Sequence, residues 1–425
     1  MRNAYKIGAL AIAGSLALAA CGSSSGGGGS SSGGGGKTVV ISSDLPLQGA
    51  SKDASDATNQ IIELYLSQIG NKVGDYTIEF KKYDDSTAAA GKWDQAQCTK
   101  NAQDHVANAN EVAVMGTYNS GCAKIEVPVL NQDPSGPMLM VSHANTNPGL
   151  TKAWDPGEPD KYYPTGKKNY GRIIATDDYQ GAAGAQFAAQ VLKVKNCYVL
   201  NDTQTYGVGV ARAFVDEAKK QGINVIGNDG WDAKQPSYKA LFEKVKAQNP
   251  DCVYLGGIND NNGQQVIKDK VAVLGANDGA VKLIGPDGFT GYPELQKMPE
   301  AQGMYITFAG LPTSELAKDP NSVPGKFLAA FKAKYGHDPA SNYSLYGAAA
   351  TQVILEAIAK SDGTRKGVTD AVFNSGTPIT VPADKSVIGK EFGIDPATGD
   401  VTVRDMTIEL MKGNAETFLQ AWKVQ

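Results

Sequence analysis

Short apolar runs alternate with amphipathic stretches along most of the chain. The first series of runs comprises TVVISS, TIEFKKY, EVAVMG and PMLMVS, between residues 38 and 142. Ala57, Ile61 and Leu64 share one face of a predicted helix between the first two runs. A second series begins at RIIAT and continues through CYVLN, INVIG, CVYLGG and VKLIG. This alternation predicts an α/β protein with two mostly parallel sheets that carry helices on both faces.

The segments after the second series do not fit simply into its sheet. Helical patterns lie near residues 324–361, and strand patterns lie near residues 388–410. We infer from this order that the chain crosses back between two lobes. The stretch from Lys37 to Gln425 also exceeds the roughly 250–300 residues beyond which a single hydrophobic core stops growing, which favours two domains.

The first 36 residues have the pattern of an export signal followed by a tether. Arg2 and Lys6 precede an apolar stretch that is too short for a membrane-spanning helix. The sequence LAAC, which ends at Cys21, resembles the bacterial lipobox, whose cysteine is acylated; an ordinary secretory signal is the alternative. Residues 22–36 are only Gly and Ser, with no side chains to bury. We expect a signal over residues 1–20, a lipidated tether over residues 21–36, and a location on the outer face of the cytoplasmic membrane or in the periplasm.

Charge, cysteine and histidine content disfavour several classes of function. The formal charge of −4 and the absence of a Lys/Arg run argue against a nucleic-acid partner. Three histidines lie too far apart for a local zinc motif, so we expect neither a metal nor a cofactor. In an exported protein, disulfides between Cys98 and Cys122 and between Cys197 and Cys252 are alternatives to buried thiols.

Small polar residues follow several of the predicted strands. In open parallel sheets the ligand binds beyond the carboxyl ends of the strands. The residues found there include Tyr118, Asn119, Ser120, Ala144, Asn145, Thr146, Tyr206, Ile258 and Asp287. Hydroxyls and N–H groups at helix starts suit a carboxylate, whereas Asp287 suits a cation. The pattern favours a zwitterionic amino acid as ligand, although each segment taken singly is also typical of a helix cap or a turn.

The order of six segments resembles that of the branched-chain amino-acid-binding proteins of ABC importers. The segments are YDDS, VMGTYNS, ANTNPGLT, NDTQTYGVGVARA, VYLGG and IGPDG, and the resemblance extends over nearly all of residues 37–425. It implies the type I periplasmic-binding-protein fold, with two doubly wound lobes joined by three hinge crossings. Lobe 1 would comprise residues 37–174 with 309–395, and lobe 2 residues 175–308 with 396–425. We expect a monomer that closes over its ligand and delivers it to permease subunits.

The resemblance also implies roles for individual residues. Ser120 and Thr146 match positions whose hydroxyls hold the α-carboxylate of the ligand, and Ala144 matches one that offers its backbone to the α-ammonium group. Tyr206 matches the aromatic residue of the second lobe that covers the ligand. Asp287 stands where the family commonly has a glutamate that faces the ammonium group.

Departures from the family pattern leave the ligand's side chain undetermined. Asp287 is one methylene shorter than glutamate, Asn145 replaces a small apolar residue, and Ile258 stands where an aromatic hydroxyl is common. Tyr118 could line the side-chain pocket. Asn119 and Asn145 add hydrogen-bonding capacity that a leucine side chain would not use. A more polar amino acid, an amide or a small carboxylate is therefore an alternative to a branched-chain amino acid.

Two other classes of function are alternatives to a transport protein. A tethered sensor would bind the same ligand and signal to a receptor, and the sequence does not separate it from an importer. An exported hydrolase would need a nucleophile with a base in reach, and Ser120 has no histidine placed beside it by the pattern. Asp84 and Asp85 follow a strand and are expected to be solvated capping residues and not an acid/base pair. We therefore expect no enzyme activity.

Overall fold

The first part of the chain forms a six-stranded sheet. The structure is a computed structural model and describes residues 37–425. The strands of this sheet are β1 (Lys37–Leu45), β2 (Lys72–Val73), β3 (Tyr76–Asp84), β6 (Glu111–Gly116), β7 (Leu139–Ser142) and β8 (Tyr170–Arg172). Between β3 and β6, β4 (Ser86–Thr87) and β5 (Lys92–Trp93) pair as a separate two-stranded sheet. The sheet order is β2-β3-β1-β6-β7-β8, and every pair except β2 with β3 is parallel. In β1, all residues from Val39 to Leu45 are buried, as expected for a strand covered on both faces.

Three helices lie between the strands of this part of the chain. They are α1 (Lys52–Gln68), α2 (Gln95–Ala107) and α3 (Ser120–Asn131). The predicted apolar face of α1 is buried, including Ala57, Ile61 and Leu64. Asp94 caps α2, because its side chain accepts hydrogen bonds from the N–H groups of Ala96 and Gln97. Helix α3 begins at Ser120, so its first turn lies at the carboxyl end of β6.

The second part of the chain forms a seven-stranded sheet. Its strands are β9 (Asn196–Asn201), β10 (Asn224–Gly230), β11 (Cys252–Gly256), β12 (Lys282–Gly285), β13 (Tyr305–Phe308), β16 (Thr407–Lys412) and β17 (Ala415–Ala421). The sheet order is β10-β9-β11-β12-β13-β16-β17, with parallel pairs as far as β13 and antiparallel pairs beyond it. The helices of this part are α4 (Asp177–Gln190), α5 (Thr205–Lys220), α6 (Lys239–Lys246), α7 (Gly263–Leu274) and α8 (Pro293–Gln296).

The segment between β13 and β16 returns to the first sheet. It contains α9 (Thr313–Leu316), α10 (Val323–Tyr335), α11 (Tyr343–Ala359), α12 (Arg365–Phe373), β14 (Thr380–Val381) and β15 (Phe392–Gly393). Phe327, Val353 and Val372 of this segment share one hydrophobic core with Val39 of β1. Because β16 and β17 then rejoin the second sheet, the chain passes between the two sheets three times. The inferred crossing back is thus present.

Gly399 and Asp400, which precede β16, are hydrogen-bonded to residues beside the first sheet. Asp400 accepts a hydrogen bond from Arg172 Nε at 3.0 Å and one from the Thr151 hydroxyl at 2.7 Å. The carbonyl of Gly399 accepts a hydrogen bond from the Arg172 N–H at 2.9 Å. These two residues therefore contact the last strand of the first sheet and the loop that precedes it. A buried ion pair between distant segments leaves no local signal in the sequence.

Both pairs of cysteines form disulfides in the structure. Cys98 on α2 is bonded to Cys122 on α3, with Cα atoms 5.7 Å apart. Cys197 on β9 is bonded to Cys252 on β11, with Cα atoms 4.4 Å apart, and these residues are direct neighbours in the parallel ladder. The first bond joins two helices, whereas the second joins two adjacent strands.

Asp84 and Asp85 have different environments. Asp84 is partly buried and accepts hydrogen bonds from the N–H groups of Leu47 and Ser86, both at 2.9 Å, as expected of a capping residue. Asp85 is fully buried, and neither of its carboxylate oxygens has a hydrogen-bond partner among residues 37–425. The expectation of a solvated side chain is therefore wrong for Asp85, because its carboxyl group packs within 4.8 Å of both sulfurs of the buried Cys98–Cys122 disulfide.

Candidate ligand-binding site

A cavity lies where the carboxyl ends of strands from the two sheets meet. The lining residues are Tyr118, Asn119, Ser120, Ala144, Tyr206, Ile258, Asp287, Gly288 and Tyr343. All the sequence-predicted ligand residues are among them except Asn145 and Thr146. We call the residues that follow β6 and β7 (Tyr118, Asn119, Ser120 and Ala144) the first wall. The residues that follow β9, β11 and β12 (Tyr206, Ile258, Asp287 and Gly288) are the second wall.

The first wall carries neutral polar groups. Ser120 is the first residue of α3, and its hydroxyl accepts a hydrogen bond from the Asn147 N–H at 3.3 Å. The first N–H groups of a helix have no partner within the helix, so they favour an anion at this position. Asn119 precedes the helix, and its buried Oδ1 has no hydrogen-bond partner within the described part of the chain. The wall therefore offers an anion-binding helix start beside one unsatisfied acceptor.

Asn145 and Thr146 support this wall without lining the cavity. The amide nitrogen of Asn145 donates to the carbonyl oxygens of Thr117 at 2.9 Å and Tyr118 at 3.0 Å. Its amide oxygen accepts a hydrogen bond from the Tyr170 hydroxyl at 3.2 Å. Asn145 thus joins the loops after β6 and β7, and its hydrogen bonds are made within the chain. The carbonyl of Thr146 accepts from the Asp177 N–H at 2.8 Å, which connects this loop to α4.

The second wall is centred on a buried carboxyl group. Asp287 is 4% exposed and accepts short hydrogen bonds from the hydroxyls of Tyr206 and Tyr343. Burial raises the pKa of Asp287, and the two tyrosine hydroxyls oppose that effect. Tyr206 belongs to α5, beside the second sheet, whereas Tyr343 begins α11, which shares the core of the first sheet. Asp287 is therefore held by one hydroxyl from each side of the cavity.

A second carboxyl group lies close to Asp287. Asp177, in the first turn of α4, is fully buried, and its Oδ2 has no hydrogen-bond partner in residues 37–425. Burial and the nearby Asp287 raise the pKa of Asp177 well above its ordinary value. Gln180 connects the two acids, since its Nε2 donates to Asp177 at 3.1 Å and its Oε1 accepts from the Asp287 N–H at 2.8 Å. Two buried carboxyl groups therefore lie close together on this side of the cavity, and burial and proximity oppose the ionisation of both.

Sequence reasoning missed Tyr343, Gly288 and Asp177. Tyr343 starts a helix that follows no strand of either series, so the strand-end rule could not find it. Gly288 follows Asp287 directly, and a side chain there would meet the carbonyl oxygen of Gly257, since a Cβ would lie 2.3 Å from it. The glycine directly after Asp287 was the feature of the sequence from which this close approach of two backbone segments could have been predicted. Asp177 lies four residues after Ile173, in the connection between the two sheets, where the sequence pattern is uninformative.

A buried histidine packs behind the cavity. His143 is fully buried, and neither ring nitrogen has a hydrogen-bond partner among the described residues. Its ring centroid lies 5.7 Å from that of Tyr118 and 6.3 Å from that of Tyr343. Burial lowers the pKa of His143 to about 3, so the ring is neutral at physiological pH.

Further contacts join the two sides around the cavity. The Ser51 hydroxyl donates to Asp260 at 2.9 Å, and Lys92 donates a short hydrogen bond to Asn261. Arg212 on α5 forms an ion pair with Asp155 at 2.8 Å. These contacts join loops of the first sheet to elements of the second, so the cavity is closed on several sides.

Comparison with known families identifies the chain's relatives. The model of the periplasmic binding protein family matches residues 39–408. The chain belongs to this family. The periplasmic binding protein is similar to the Leu/Ile/Val/Thr-binding protein of Salmonella typhimurium, with 29% identity over 72% of this chain and 78% of the relative. It is also similar to the Leu/Ile/Val-binding protein of Escherichia coli K12, with 28% identity over 71% of this chain and 77% of the relative.

Solved structures of low identity support the fold of this periplasmic binding protein. A leucine-binding protein from Thermotoga maritima superimposes with a TM-score of 0.73 and 22% identity, over 90% of this chain and 98% of the other. A solute-binding protein of an ABC transporter from Rhodopseudomonas palustris, in complex with p-hydroxybenzoic acid, superimposes with a TM-score of 0.74 and 17% identity, over 92% and 98% of the two chains. The expected type I periplasmic-binding-protein fold is confirmed.

Family membership also bears on enzyme activity and location. The relatives of this periplasmic binding protein are binding proteins, which supports the expectation that it is not an enzyme. The family implies export to the periplasm. Within residues 37–425, no helix has the length and apolar character needed to cross a membrane. The predicted signal and the predicted lipidation site, Cys21, lie outside the described residues.

Proposed function

We propose that this protein is the solute-binding component of an ABC importer and that its ligand is an amino acid with an apolar side chain, branched-chain or related. The observation that carries the proposal is the chemical asymmetry of the cavity. The first wall offers neutral donors at a helix start, and the second wall offers the buried carboxylate of Asp287. A zwitterion satisfies both walls at once.

The α-carboxylate of the ligand is assigned to the first wall. Ser120 contributes its hydroxyl, and the first turn of α3 contributes N–H groups and the positive end of the helix dipole. Ala144 also lines this wall, and the family resemblance assigns its backbone to the α-ammonium group and not to the carboxylate. None of the four side chains of this wall is charged, so no acidic side chain of the wall repels the ligand's carboxylate.

The α-ammonium group is assigned to the second wall. Asp287 is buried, and a buried carboxylate is stabilised when a cation pairs with it. Asn119 Oδ1, an acceptor with no hydrogen-bond partner in the described chain, supplies a further site for an ammonium N–H. The ammonium group would thus give the carboxylate of Asp287 a counter-charge, and it would give Asn119 Oδ1 a hydrogen-bond donor.

The side chain of the ligand is assigned to the space beside Tyr118, Ile258 and Tyr343. Aromatic rings and an isoleucine side chain favour an apolar group. The names of the curated relatives, Leu/Ile/Val-binding proteins, support the same class. A structural neighbour binds p-hydroxybenzoate. An aromatic acid of this kind has no ammonium group and would leave the carboxylate of Asp287 without a counter-charge.

Ligand binding and lobe closure are proposed to be one event. Asp287 receives hydroxyls from both sides, and Arg212 with Asp155 joins the same two sides at the rim. A ligand that touches both walls stabilises the closed arrangement relative to an open one. Acylation of Cys21 would then hold the monomer near its permease, on a Gly/Ser tether with a reach of about 20 Å.

The test is thermal unfolding of residues 37–425 after any bound ligand has been removed by unfolding and refolding. The panel contains leucine, isoleucine, valine, glutamine, p-hydroxybenzoate and a sugar. A ligand at a hundred times its dissociation constant adds about 2.7 kcal/mol of stability. We expect the branched-chain amino acids to raise the midpoint. A rise with p-hydroxybenzoate or the sugar, and with no amino acid, would overturn the proposal.

A further inference from the structure

A second group of titratable side chains lies in the interior of the first sheet's half and does not line the cavity. Asp44 is near the carboxyl end of β1, His105 is on α2, and Glu126 is on α3. All three side chains are fully buried. None of them has a role in the proposed transport function.

The three side chains converge on one point. One ligand atom from each, an imidazole nitrogen or a carboxylate oxygen, lies within 4.8 Å of the other two. His105 Nε2 is 3.1 Å from Asp44 Oδ2. Ligand atoms bound at roughly 2.0–2.4 Å to one ion lie at most about twice that distance apart, so the spacing matches a shared ion.

The other nitrogen of His105 is held by a second carboxylate. His105 Nδ1 is 2.6 Å from Glu111 Oε1. Glu111 is fixed in turn by the Ser42 hydroxyl and by Asn108 Nδ2, which donates at 3.0 Å. A histidine that binds a metal usually donates its other N–H to a carboxylate in this way, which sets the tautomer and orients the ring. Glu111 therefore directs Nε2 toward Asp44 and Glu126.

Glu126 provides an independent sign that a positive group is needed. Its Oε2 has no hydrogen-bond partner within residues 37–425, although the side chain is fully buried. Its Oε1 is 3.3 Å from Cys122 Sγ, but this sulfur is in a disulfide and has no hydrogen to donate. Both oxygens of the neighbouring buried Asp85 are also unpaired in the described chain. Buried carboxyl groups without partners are costly, and a cation removes that cost.

The covalent structure around the cluster is rigid. The disulfide between Cys98 and Cys122 joins α2 to α3. His105 is seven residues from Cys98, and Glu126 is four residues from Cys122, so each candidate ligand shares a helix face with its cysteine. The bond thus fixes the two helices that carry His105 and Glu126. It also uses both thiols, so the cysteines themselves are not metal ligands here.

We propose that Asp44, His105 and Glu126 form a structural binding site for one divalent first-row transition ion. The ion replaces the proton on His105 Nε2, while the Nδ1 proton stays hydrogen-bonded to Glu111. An imidazole with two carboxylates suits Zn²⁺ or Mn²⁺, whereas Ca²⁺ prefers an all-oxygen shell of six to eight ligands. Because the site is fully buried, the ion enters during folding.

The test is metal retention after refolding. The full-length protein is unfolded in denaturant with a chelator, with its disulfides intact, and refolded with Zn²⁺, Mn²⁺, Ca²⁺ or chelator alone. After gel filtration, bound metal is counted by elemental analysis and the unfolding midpoint is measured. We expect one equivalent of Zn²⁺ or Mn²⁺ per chain and a higher midpoint than with chelator. Wild-type protein that retains no ion, or retains only Ca²⁺, overturns the site.

Two variants assign the retained ion to this cluster. Glu126→Gln keeps the size of the side chain and should lower Zn²⁺ affinity at least tenfold. Glu409→Gln is the matched control, because Glu409 is also fully buried with an unpaired Oε2 among residues 37–425 but lies on β16. It should retain the ion like the wild type. Equal retention by both variants contradicts the assignment, and the wild-type result decides the proposal if Glu126→Gln does not fold.

Discussion

The two walls of the cavity differ in charge and in how their side chains are held. The first wall is neutral, and its loops are joined by Asn145, whose amide bonds the backbone of Thr117 and Tyr118. The second wall is acidic, and Asp287 is held by the hydroxyls of Tyr206 and Tyr343. The hydrogen bonds of Asn145 thus hold the first wall from its own side of the cavity. The second wall also depends on Tyr343, which comes from the other side. This difference predicts an oriented zwitterion and links its binding to closure.

Removing the charge of the second wall should have the largest effect. Asp287→Asn keeps the shape but loses a charged acceptor, so we expect the affinity for the amino acid to fall roughly 10- to 100-fold, which corresponds to about 1.5–3 kcal/mol. Calorimetric titration measures it. Asp269→Asn is a matched control, because Asp269 is also buried but lies on α7 outside the cavity. Unchanged affinity in Asp287→Asn would show that the ammonium group is not bound there.

The buried histidine behind the walls should affect stability at acid pH. The pKa of His143 is about 3 in the folded protein, below the value of about 6.5 for an unfolded chain, so the unfolded state binds more protons between these values. Stability should therefore fall as pH drops from about 6.5 toward 3, by at most about 1.4 kcal/mol per pH unit from this residue.

His143→Phe should remove that part of the pH dependence. The variant keeps an aromatic ring beside Tyr118 and Tyr343 and loses two nitrogens that have no partner in the described chain. Chemical denaturation at several pH values between 4 and 7 measures the slope. A slope equal to that of the wild type would mean that the pKa of His143 is the same in the folded protein as in the unfolded chain.

On the first wall, Ser120→Ala should weaken binding by about fivefold. The variant loses one hydroxyl that we assign to the carboxylate, worth about 1 kcal/mol, while the helix N–H groups remain. Ser55→Ala is the control, since the Ser55 hydroxyl is buried without a hydrogen-bond partner in residues 37–425 and lies on α1. The two affinities are compared by titration. Identical values would remove Ser120 from the carboxylate site.

The smallest expected effect is that of the hydroxyl that reaches across the cavity. Tyr343→Phe keeps the ring and removes one hydrogen bond to Asp287, so affinity should fall about two- to fivefold, or about 0.5–1 kcal/mol. Tyr206→Phe removes the other hydroxyl from the same carboxyl group and is the natural comparison. A gain in affinity in Tyr343→Phe would mean that this hydroxyl competes with the ligand for Asp287.

The sequence was sufficient to predict those site residues that come directly after strands. Within one parallel sheet the chain leaves each strand at the same edge, so Tyr206 and Asp287 could be expected to meet. The family resemblance implied that Ser120, from the other lobe, faces them across the ligand. Tyr343 could not be found in this way, because it is brought to the cavity by the packing of α11 on the first sheet. The position of Asn145 behind the wall also depends on tertiary hydrogen bonds with backbone carbonyls, which no local pattern encodes.

The environments of the buried acids could not be predicted from the sequence either. The wide spacing of the histidines suggested no metal site, yet folding brings His105 beside Asp44 and Glu126. Asp85 was expected in solvent, and the structure buries it. Contacts between distant segments decide these environments, whereas composition and periodicity report only on the local chain.

The most direct test of the account compares leucine with two analogues that each retain one charged group. Deaminated leucine, 4-methylpentanoate, keeps the carboxylate for the first wall, and isoamylamine keeps the ammonium group for the second. Titration of wild type and Asp287→Asn with all three should show leucine binding at least tenfold more tightly than either analogue, and Asp287→Asn should weaken leucine and isoamylamine but not 4-methylpentanoate. If 4-methylpentanoate binds wild type as tightly as leucine, Asp287 does not recognise the ligand's ammonium group and the central claim fails.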